Sequence, residues 1–341
     1  MKLFFKDVLW GILMGLILPG IMLNFAALLL TGPGTWEETS DFISAESLKQ
    51  EIVQAEAQPL RMDFLRSDGK VEAADMDAYL VGVVLAEMPV WFEEEALKAQ
   101  SVVARTYALK ARVTGGKHGN GSICTQPGCC QAYISEGEFL QKGGTFPDVE
   151  RVRAAVMQTS DYVLAYEGEW IEATYFSCSG GSTEDAVAVW GTAFPYLQAV
   201  ESPGEESATH YTDTEFLDTG TFCQKLGIEP EGSPENWIGD ISYTSGGGID
   251  ETCIGGKKFT GVQLRSLLGL RSTAITMTVE ETGITIVTKG YGHRVGMSQY
   301  GADAMAAAGS TWTEILAHYY RGASIVNWQT VAAAEVQLRD A

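Results

Sequence analysis

The sequence predicts an α+β fold, in which mixed helices and β-sheet shape a cleft, carried behind an N-terminal membrane-spanning helix. Helical and alternating apolar periods follow one another irregularly, without the strand-helix-strand alternation of a parallel sheet. Glycine contributes 38 of 341 residues, about one in nine against a usual ~7%, which points to a loop-rich chain with tight backbone approaches. Hydrophobic residues make up 45% and charged residues 20%, so the chain has material for a packed core and lacks the signature of disorder.

Val8 to Leu30 contains no charged residue, and these 23 residues are long enough to cross a hydrocarbon core of ~30 Å. The run is longer than the apolar stretch of about 7 to 15 residues in a secretory signal, and Leu28-Leu29-Leu30 offers no small-residue cleavage signature. It therefore reads as an uncleaved transmembrane anchor, residues 8–30. Lys2 and Lys6 precede it, and Glu37, Glu38, Asp41 and Glu46 follow. The positive-inside rule makes residues 1–7 a cytoplasmic tail and places the remainder outside the cell membrane.

Residues 31–61 are polar with weak periodicity, a stalk or N-terminal arm. The main region follows over 62–326. Met62 to Glu72 suggests two strands about the Asp68-Gly69 turn. Met76 to Glu87 is a helix whose apolar stripe is Met76, Tyr79, Leu80, Val83 and Val84, with Asp75 as N-cap and Pro89 as its stop. A second helix, Glu94 to Arg112, carries Ala96, Ala99, Ala104 and Ala108, which permit close helix contact. Next come a Gly/Cys-rich loop (Gly115 to Cys130), a helix near Val149 to Thr159, and a strand, Ile171 to Phe176, leading into Ser177-Cys178-Ser179-Gly180-Gly181. Residues 212–258 have low apolar density and read as a polar excursion from the core. Ala274 to Val279 and Ile284 to Thr288 alternate as strands, Gly290 to Gly296 is a glycine-rich turn, and Thr313 to Tyr320 is a last helix. Residues 327–341 form a tail.

The formal charge is −21, from 23 basic and 44 acidic side chains. The first thirty residues contribute +1 (Lys2, Lys6, Asp7), so the part outside carries −22. Duplex nucleic acid requires a basic face to displace counterions, and no nucleic-acid partner is expected.

Glu87 occupies the next position on the apolar stripe of its helix. A carboxyl there is buried or held at a cleft edge, where desolvation raises its pKa toward the range of a general acid at neutral pH. The helix C-terminus pushes in the same direction. A frayed, solvated helix end is the alternative. Glu93, Glu94 and Glu95 begin the next helix, where negative charge is stabilising, and read as structural.

His118, Cys124, Cys129 and Cys130 lie in one short loop, HGNGSICTQPGCC. Thiolates and an imidazole at this spacing suit tetrahedral zinc, while a Cys124 to Cys130 disulfide suits an extracytoplasmic compartment equally well. Cys223 and Cys253 flank part of the excursion and could be bridged. Cys178 reads as a small buried apolar side chain.

YLVGVVLAEMP (Tyr79 to Pro89), FEEEALKAQSVVARTYAL (Phe92 to Leu109), CCQAY (Cys129 to Tyr133), SGGSTEDAVAVWG (Ser179 to Gly191), PYLQAVESPGEE (Pro195 to Glu206), FTGVQLRSLLGLRST (Phe259 to Thr273) and GYGHRVGMSQYGADAMAAAGSTWTEILAHYYRG (Gly290 to Gly322) together resemble stage II sporulation protein D. The likeness runs from about Asp63 to Val326. It implies a membrane-anchored peptidoglycan lytic transglycosylase of endospore formers, acting during engulfment of the forespore, held in the mother-cell membrane with its catalytic domain facing the septal space. It implies Glu87, of the LAEMP segment, as general acid and then base. It also implies a structural zinc on His118, Cys124 and Cys130, with Cys129 or water as fourth ligand. GHRVG departs from the usual GHGVG at Arg294, which would either add a positive contact to the cleft or point to solvent.

Other polar groups in or near these segments are expected to bind substrate: Arg105, Tyr175, Ser177, Ser179, Gly180, His293, Ser298 and Gln299; the alternatives are an ion pair with a neighbouring Glu for Arg105, a turn-stabilising role for His293 and simple burial for Tyr175. Trp190 could stack on a sugar face. The expected partners are the glycan strands, an amidase-endopeptidase and a polytopic membrane protein of the engulfment stage, the membrane itself, and, as one option, a second copy of the chain. Because stem peptides carry carboxylates, a chain this acidic should favour glycan already denuded by an amidase. Two other classes compete: a non-catalytic amidase enhancer and a zinc-dependent hydrolase built on the cysteine loop.

Overall fold

The computed structural model describes residues 60–114, 116–118 and 123–331. It is an α+β structure, with five small sheets among the described residues instead of one large one. The expected anchor (8–30), nearly all of the stalk and most of the C-terminal tail lie outside these residues. No described helix is long and apolar enough to cross a membrane.

The main body starts with β1 (Arg61–Leu65) and β2 (Val71–Asp75), antiparallel across the Asp68-Gly69 turn. Gly69 adopts φ +85, the left-handed conformation that a turn at this position demands. Helix α1 (Met76–Glu87) follows directly, with Asp75 in the extended conformation of an N-cap but making no side-chain cap bond. Its end is set by Pro89: the preceding Met88 is forced into the extended region, φ −120 and ψ 142. Helix α2 (Glu94–Thr114) is the longest described, and its Ala96, Ala99, Ala104 and Ala108 are fully buried. Strand β3 (Ile123–Cys124) joins β1 in parallel, tying the cysteine loop to the body.

Helices α3 (Glu136–Gln141) and α4 (Phe146–Gln158) both begin with capping boxes, from Ser135 and Glu138 and from Thr145 and Asp148. Strands β4 (Tyr162–Tyr166), β5 (Glu169–Trp170) and β6 (Tyr175–Phe176) come next, then helix α5 (Ala186–Trp190). The expected strand from Ile171 is shorter than its composition suggests. Residues 171–174 leave the sheet, and only Tyr175 and Phe176 pair.

Residues 212–258 are more than an excursion. They contribute β7 (Thr212–Asp218), α6 (Thr219–Leu226), a 3-10 turn, β8 (Ile238–Tyr243), β9 (Ile249–Ile254) and β10 (Lys257–Thr260). These join α7 (Gly261–Leu268), β11 (Ala274–Val279) and β12 (Gly283–Lys289) around a second apolar core. Phe222, Ile254, Leu264, Ile284 and Ile286 are its centre. The apolar residues are few but phased: β12 runs between β7 and β11, so alternation on one strand is completed by neighbours distant in sequence.

The chain then returns to the body through β13 (Met297–Ser298), α8 (Gln299–Ala307), α9 (Trp312–Tyr319) and β14 (Ser324–Asn327). Strand β13 pairs in parallel with β6, Met297 opposite Tyr175, and β14 closes a sheet with β4 and β5.

Candidate active site

Glu87 is the last residue of α1 and sits half-buried. Its setting is built by the segment after the cysteine loop. Tyr133 and Ile134 cross α1 at Gly82, whose carbonyl accepts from the Ile134 amide at 3.1 Å. A β-carbon on Gly82 would lie 2.3 Å from the Tyr133 ring, so the crossing requires glycine. The crossing aims the Ala132 amide at Glu87, and this amide donates to Oε1 at 2.5 Å.

The Tyr175 hydroxyl and the Gln299 side chain lie close enough to the same carboxyl to favour its charged form. Gln299 Nε2 is buried without a hydrogen-bond partner, whereas Tyr175 is fixed from behind. Gln131 Nε2 donates to the Tyr175 oxygen at 3.2 Å and to the Ala104 carbonyl at 3.4 Å, and Gln131 Oε1 accepts from Tyr79 at 3.4 Å. The β6 and β13 pairing brings Tyr175 and Gln299 together although 124 positions separate them. That pairing depends on Gly296, at φ +84, where a β-carbon would sit 2.0 Å from the Thr174 carbonyl.

Burial is the largest influence on Glu87 and pushes its carboxyl above the ordinary value; the Ala132, Tyr175 and Gln299 donors oppose that shift without reversing it. No other carboxylate contributes. Tyr175, raised well above its usual value by burial and by Glu87, stays a neutral donor.

His293 packs edge-on to Phe176 and lies 5.4 Å from the exposed Trp190 ring. Its Nδ1 accepts from the Val295 amide at 3.1 Å. Burial and the nearby Arg265 lower it to about 4, so it is a neutral imidazole at physiological pH. Ser177 is half-buried where β6 ends, and its carbonyl accepts from the Tyr300 amide.

Four expected substrate ligands are placed otherwise. Arg105 is 1% exposed; it pairs with Asp77 at 3.2 Å and donates to the Val156 and Thr159 carbonyls, capping the end of α4. Ser179 is fully buried and, with the Gly180 amide, is held by the buried carboxylate of Glu205. Gly180 is needed for its φ of +76. Ser298 is the buried N-cap of α8, accepting from Gly301. Ser179, Gly180 and Ser298 thus shape the backbone of their loops, and Arg105 is buried in the helical body with its Nε unpartnered.

Arg294 departs from both expectations, since it is neither in the cleft nor in solvent. Its side chain is 2% exposed, ion-pairs with Glu184 at 3.1 Å, and donates to the carbonyls of Ser179, Ser182 and Gly246. Its φ of +65 explains why glycine suits this position. The Gly246 contact comes from the turn between β8 and β9, so Arg294 joins the second core to the body.

The cysteine loop gathers four ligands. His118, Cys124, Cys129 and Cys130 place their ligand atoms within 4.8 Å of one another. His118 Nε2 lies 3.4 Å from Cys129 Sγ and 3.5 Å from Cys130 Sγ, and the two sulfurs are 3.9 Å apart. With zinc–sulfur bonds of about 2.3 Å, a tetrahedral site has sulfur–sulfur edges of ~3.8 Å and sulfur–nitrogen edges of ~3.5 Å. The donor set fits zinc, with Cys129 completing it. All six cysteines are free thiols, so neither Cys124 with Cys130 nor Cys223 with Cys253 is bridged.

The residues that the sequence did not single out are Ala132, Gln131 and Glu205. Gln131 and Ala132 lie inside CCQAY, but a backbone amide has no sequence signature, and Gln131 acts only through contacts far along the chain.

A family model described as stage II sporulation protein matches residues 66–166. The chain is 39% identical over 264 residues to stage II sporulation protein D of Bacillus amyloliquefaciens, covering 76% of each chain. It is 36% identical over 287 residues to stage II sporulation protein D of Bacillus subtilis (strain 168), covering 82% of this chain and 81% of the relative. An amidase enhancer of the same strain is 28% identical over 307 residues, 73% of this chain and 40% of that protein.

Proposed function

Given that this chain belongs to the stage II sporulation protein D family, with a role in sporulation and the cell wall, we propose that it is a membrane-anchored lytic transglycosylase. Its substrate is the bond between N-acetylmuramic acid and N-acetylglucosamine in denuded peptidoglycan strands. The observation that carries this reading is Glu87 as a lone carboxyl under several hydrogen-bond donors. Ordinary glycosidases set two carboxylates across the scissile bond.

One carboxyl suffices when the nucleophile belongs to the sugar. Protonated Glu87 gives its proton to the leaving glycosidic oxygen as the bond from muramic C1 breaks. The Ala132 amide and the Tyr175 hydroxyl then hold the carboxylate that results. That carboxylate accepts the proton of the muramic C6 hydroxyl as this oxygen bonds to C1. The product is a 1,6-anhydro ring, no water is consumed, and Glu87 regains its proton. The raised pKa and the donor cluster serve successive steps: burial keeps the acid form accessible, and the donors make its ionisation tolerable. Trp190 beside His293, and Trp91 in the turn after Glu87, expose indoles on which pyranose faces can stack.

Zinc on His118, Cys124, Cys129 and Cys130 would be structural. When bound it would close the loop that ends two residues before Ala132 and hold that amide on Glu87. With four protein ligands the site leaves no open position for a substrate, which disfavours the zinc-hydrolase alternative.

Product analysis tests the proposal. Wild type should release fragments with anhydromuramic ends from sacculi, and Glu87→Gln should lower that rate by about 10²–10⁴-fold while folding normally. Reducing ends alone, or an unaffected Glu87→Gln protein that still activates an amidase, would favour the other classes.

A further inference from the structure

Gln131 is fully buried, and each end of its amide is bonded. Its Nε2 donates to the Ala104 carbonyl of α2 at 3.4 Å and to the Tyr175 hydroxyl oxygen of β6 at 3.2 Å, and its Oε1 accepts from the Tyr79 hydroxyl of α1 at 3.4 Å. The direction of these bonds is forced. A carbonyl such as that of Ala104 only accepts, so the NH2 end of the amide must face it, and the oxygen end is left for Tyr79. An amide NH2 only donates, so the Tyr175 oxygen must be the acceptor toward Gln131. A phenol has one hydrogen, and that of Tyr175 is left to point elsewhere.

The acceptor within reach is the Glu87 carboxyl, close enough to Tyr175 for its charged form to be favoured. Gln131 reaches Glu87 by a second route. The peptide bond that leaves it carries the Ala132 amide, which donates to Glu87 Oε1. Side chain and backbone of one residue therefore meet both donors. The titratable groups that face Glu87 are Tyr79, on its own helix, and Tyr175 on β6, and burial keeps both as neutral phenols. The segment after the cysteine loop and α8 bring it the Ala132 amide and Gln299, neither of which titrates.

We propose that Gln131 is a positioning residue for proton transfer: by donating to the Tyr175 oxygen it commits the single hydroxyl hydrogen to Glu87. This rests on Glu87 as the proton carrier of the proposed reaction. The gain falls on one half of the cycle. A charged acceptor strengthens a hydrogen bond, so the carboxylate left after Glu87 protonates the glycosidic oxygen benefits more than the acid form does. Donation into the Tyr175 oxygen also polarises its O–H and strengthens the next bond in the row. No proton travels along this row: Tyr175 keeps its hydrogen, and Gln131 does not titrate.

Titration of Glu87 in the full chain tests this without any substrate. With glutamate isotope-labelled at the side-chain carboxyl, the Glu87 signal is the one that Glu87→Gln removes from the NMR spectrum. Gln131→Met keeps the volume and removes the amide, so the charged form of Glu87 is held less well and its midpoint should rise by about 0.5–1 pH unit. The alkaline limb of the rate profile should follow it. Tyr175→Phe should raise the midpoint at least as far, and the two changes together should raise it no further than Tyr175→Phe alone. Gln131→Asn, whose amide stops one methylene short of Tyr175, should give the same rise and replaces Gln131→Met if that variant does not fold. An unmoved midpoint in a folded Gln131 variant, as a merely structural role predicts, or a double variant whose shift is the sum of the two, would overturn the assignment. Product analysis on the same samples keeps the two readings apart. A shifted midpoint without anhydromuramic product leaves Gln131 assigned and removes the transglycosylase; the product without the shift does the reverse.

Discussion

At Glu87, burial raises the carboxyl and three donors lower it, and the balance between them sets the pH at which the group works. Tyr175→Phe removes the hydroxyl near Glu87 and with it the oxygen that accepts from Gln131 Nε2, which keeps the Ala104 carbonyl as acceptor. In Tyr175→Phe the carboxylate loses a bond that favours its charged form, so the Glu87 pKa rises further. The alkaline limb of the rate profile, where the acid form is lost, should move to higher pH while kcat falls about tenfold; a profile that stays in place would show that Tyr175 does not act on Glu87. His293 behaves differently. It is held neutral at about 4 by burial and Arg265, which suits a packing role beneath Trp190 and not a proton-transfer role.

Among the elements, the glycine-rich turn and the cysteine loop carry the cleft. Gly296 combines φ +84 with no room for a side chain, so Gly296→Ala must displace β13 from β6 and separate Gln299 from Tyr175. A destabilisation of about 3 kcal/mol is expected in denaturant titration, larger than for Gly309→Ala, where nothing lies near the added carbon. The cysteine loop is expected to hold about one zinc per chain, measurable by elemental analysis. A chelator should lower Tm by several degrees and weaken protection of the Ala132 amide from hydrogen exchange. Metal-free protein with unchanged protection would sever the loop from the site.

For the whole molecule, Arg294 and Glu184 form the junction between two apolar cores. Glu184 also accepts from Thr244 and Gly248, so this pair and the β8–β9 turn share one buried polar network. Arg294→Met would leave Glu184 buried without its countercharge, a loss of about 3–5 kcal/mol. Urea unfolding should show either that fall in one transition or a separate early transition of the second core. Full stability would mean that the pair contributes nothing to joining them. The net charge acts on the same scale: −21 over the full sequence disfavours polyanions in general.

Local sequence determined α1 and α2, the two alternating strands β11 and β12, and the position of Glu87 on the apolar stripe, because local spacing dictates which residues share a face. The ligand spacing of the cysteine loop and the resemblance blocks were equally local. Tertiary structure decided what those groups touch. Arg105, Ser179 and Ser298 look like ligands in sequence, since a polar side chain beside a glycine-rich loop has the same letter whether it faces substrate or caps a helix. Residues 212–258 looked coreless because their apolar residues complete a core only with strands up to 289. The donors on Glu87 come from positions 132, 175 and 299, which no local pattern relates. Their convergence follows from the parallel pairing of β6 with β13 and from the chain crossing at Gly82.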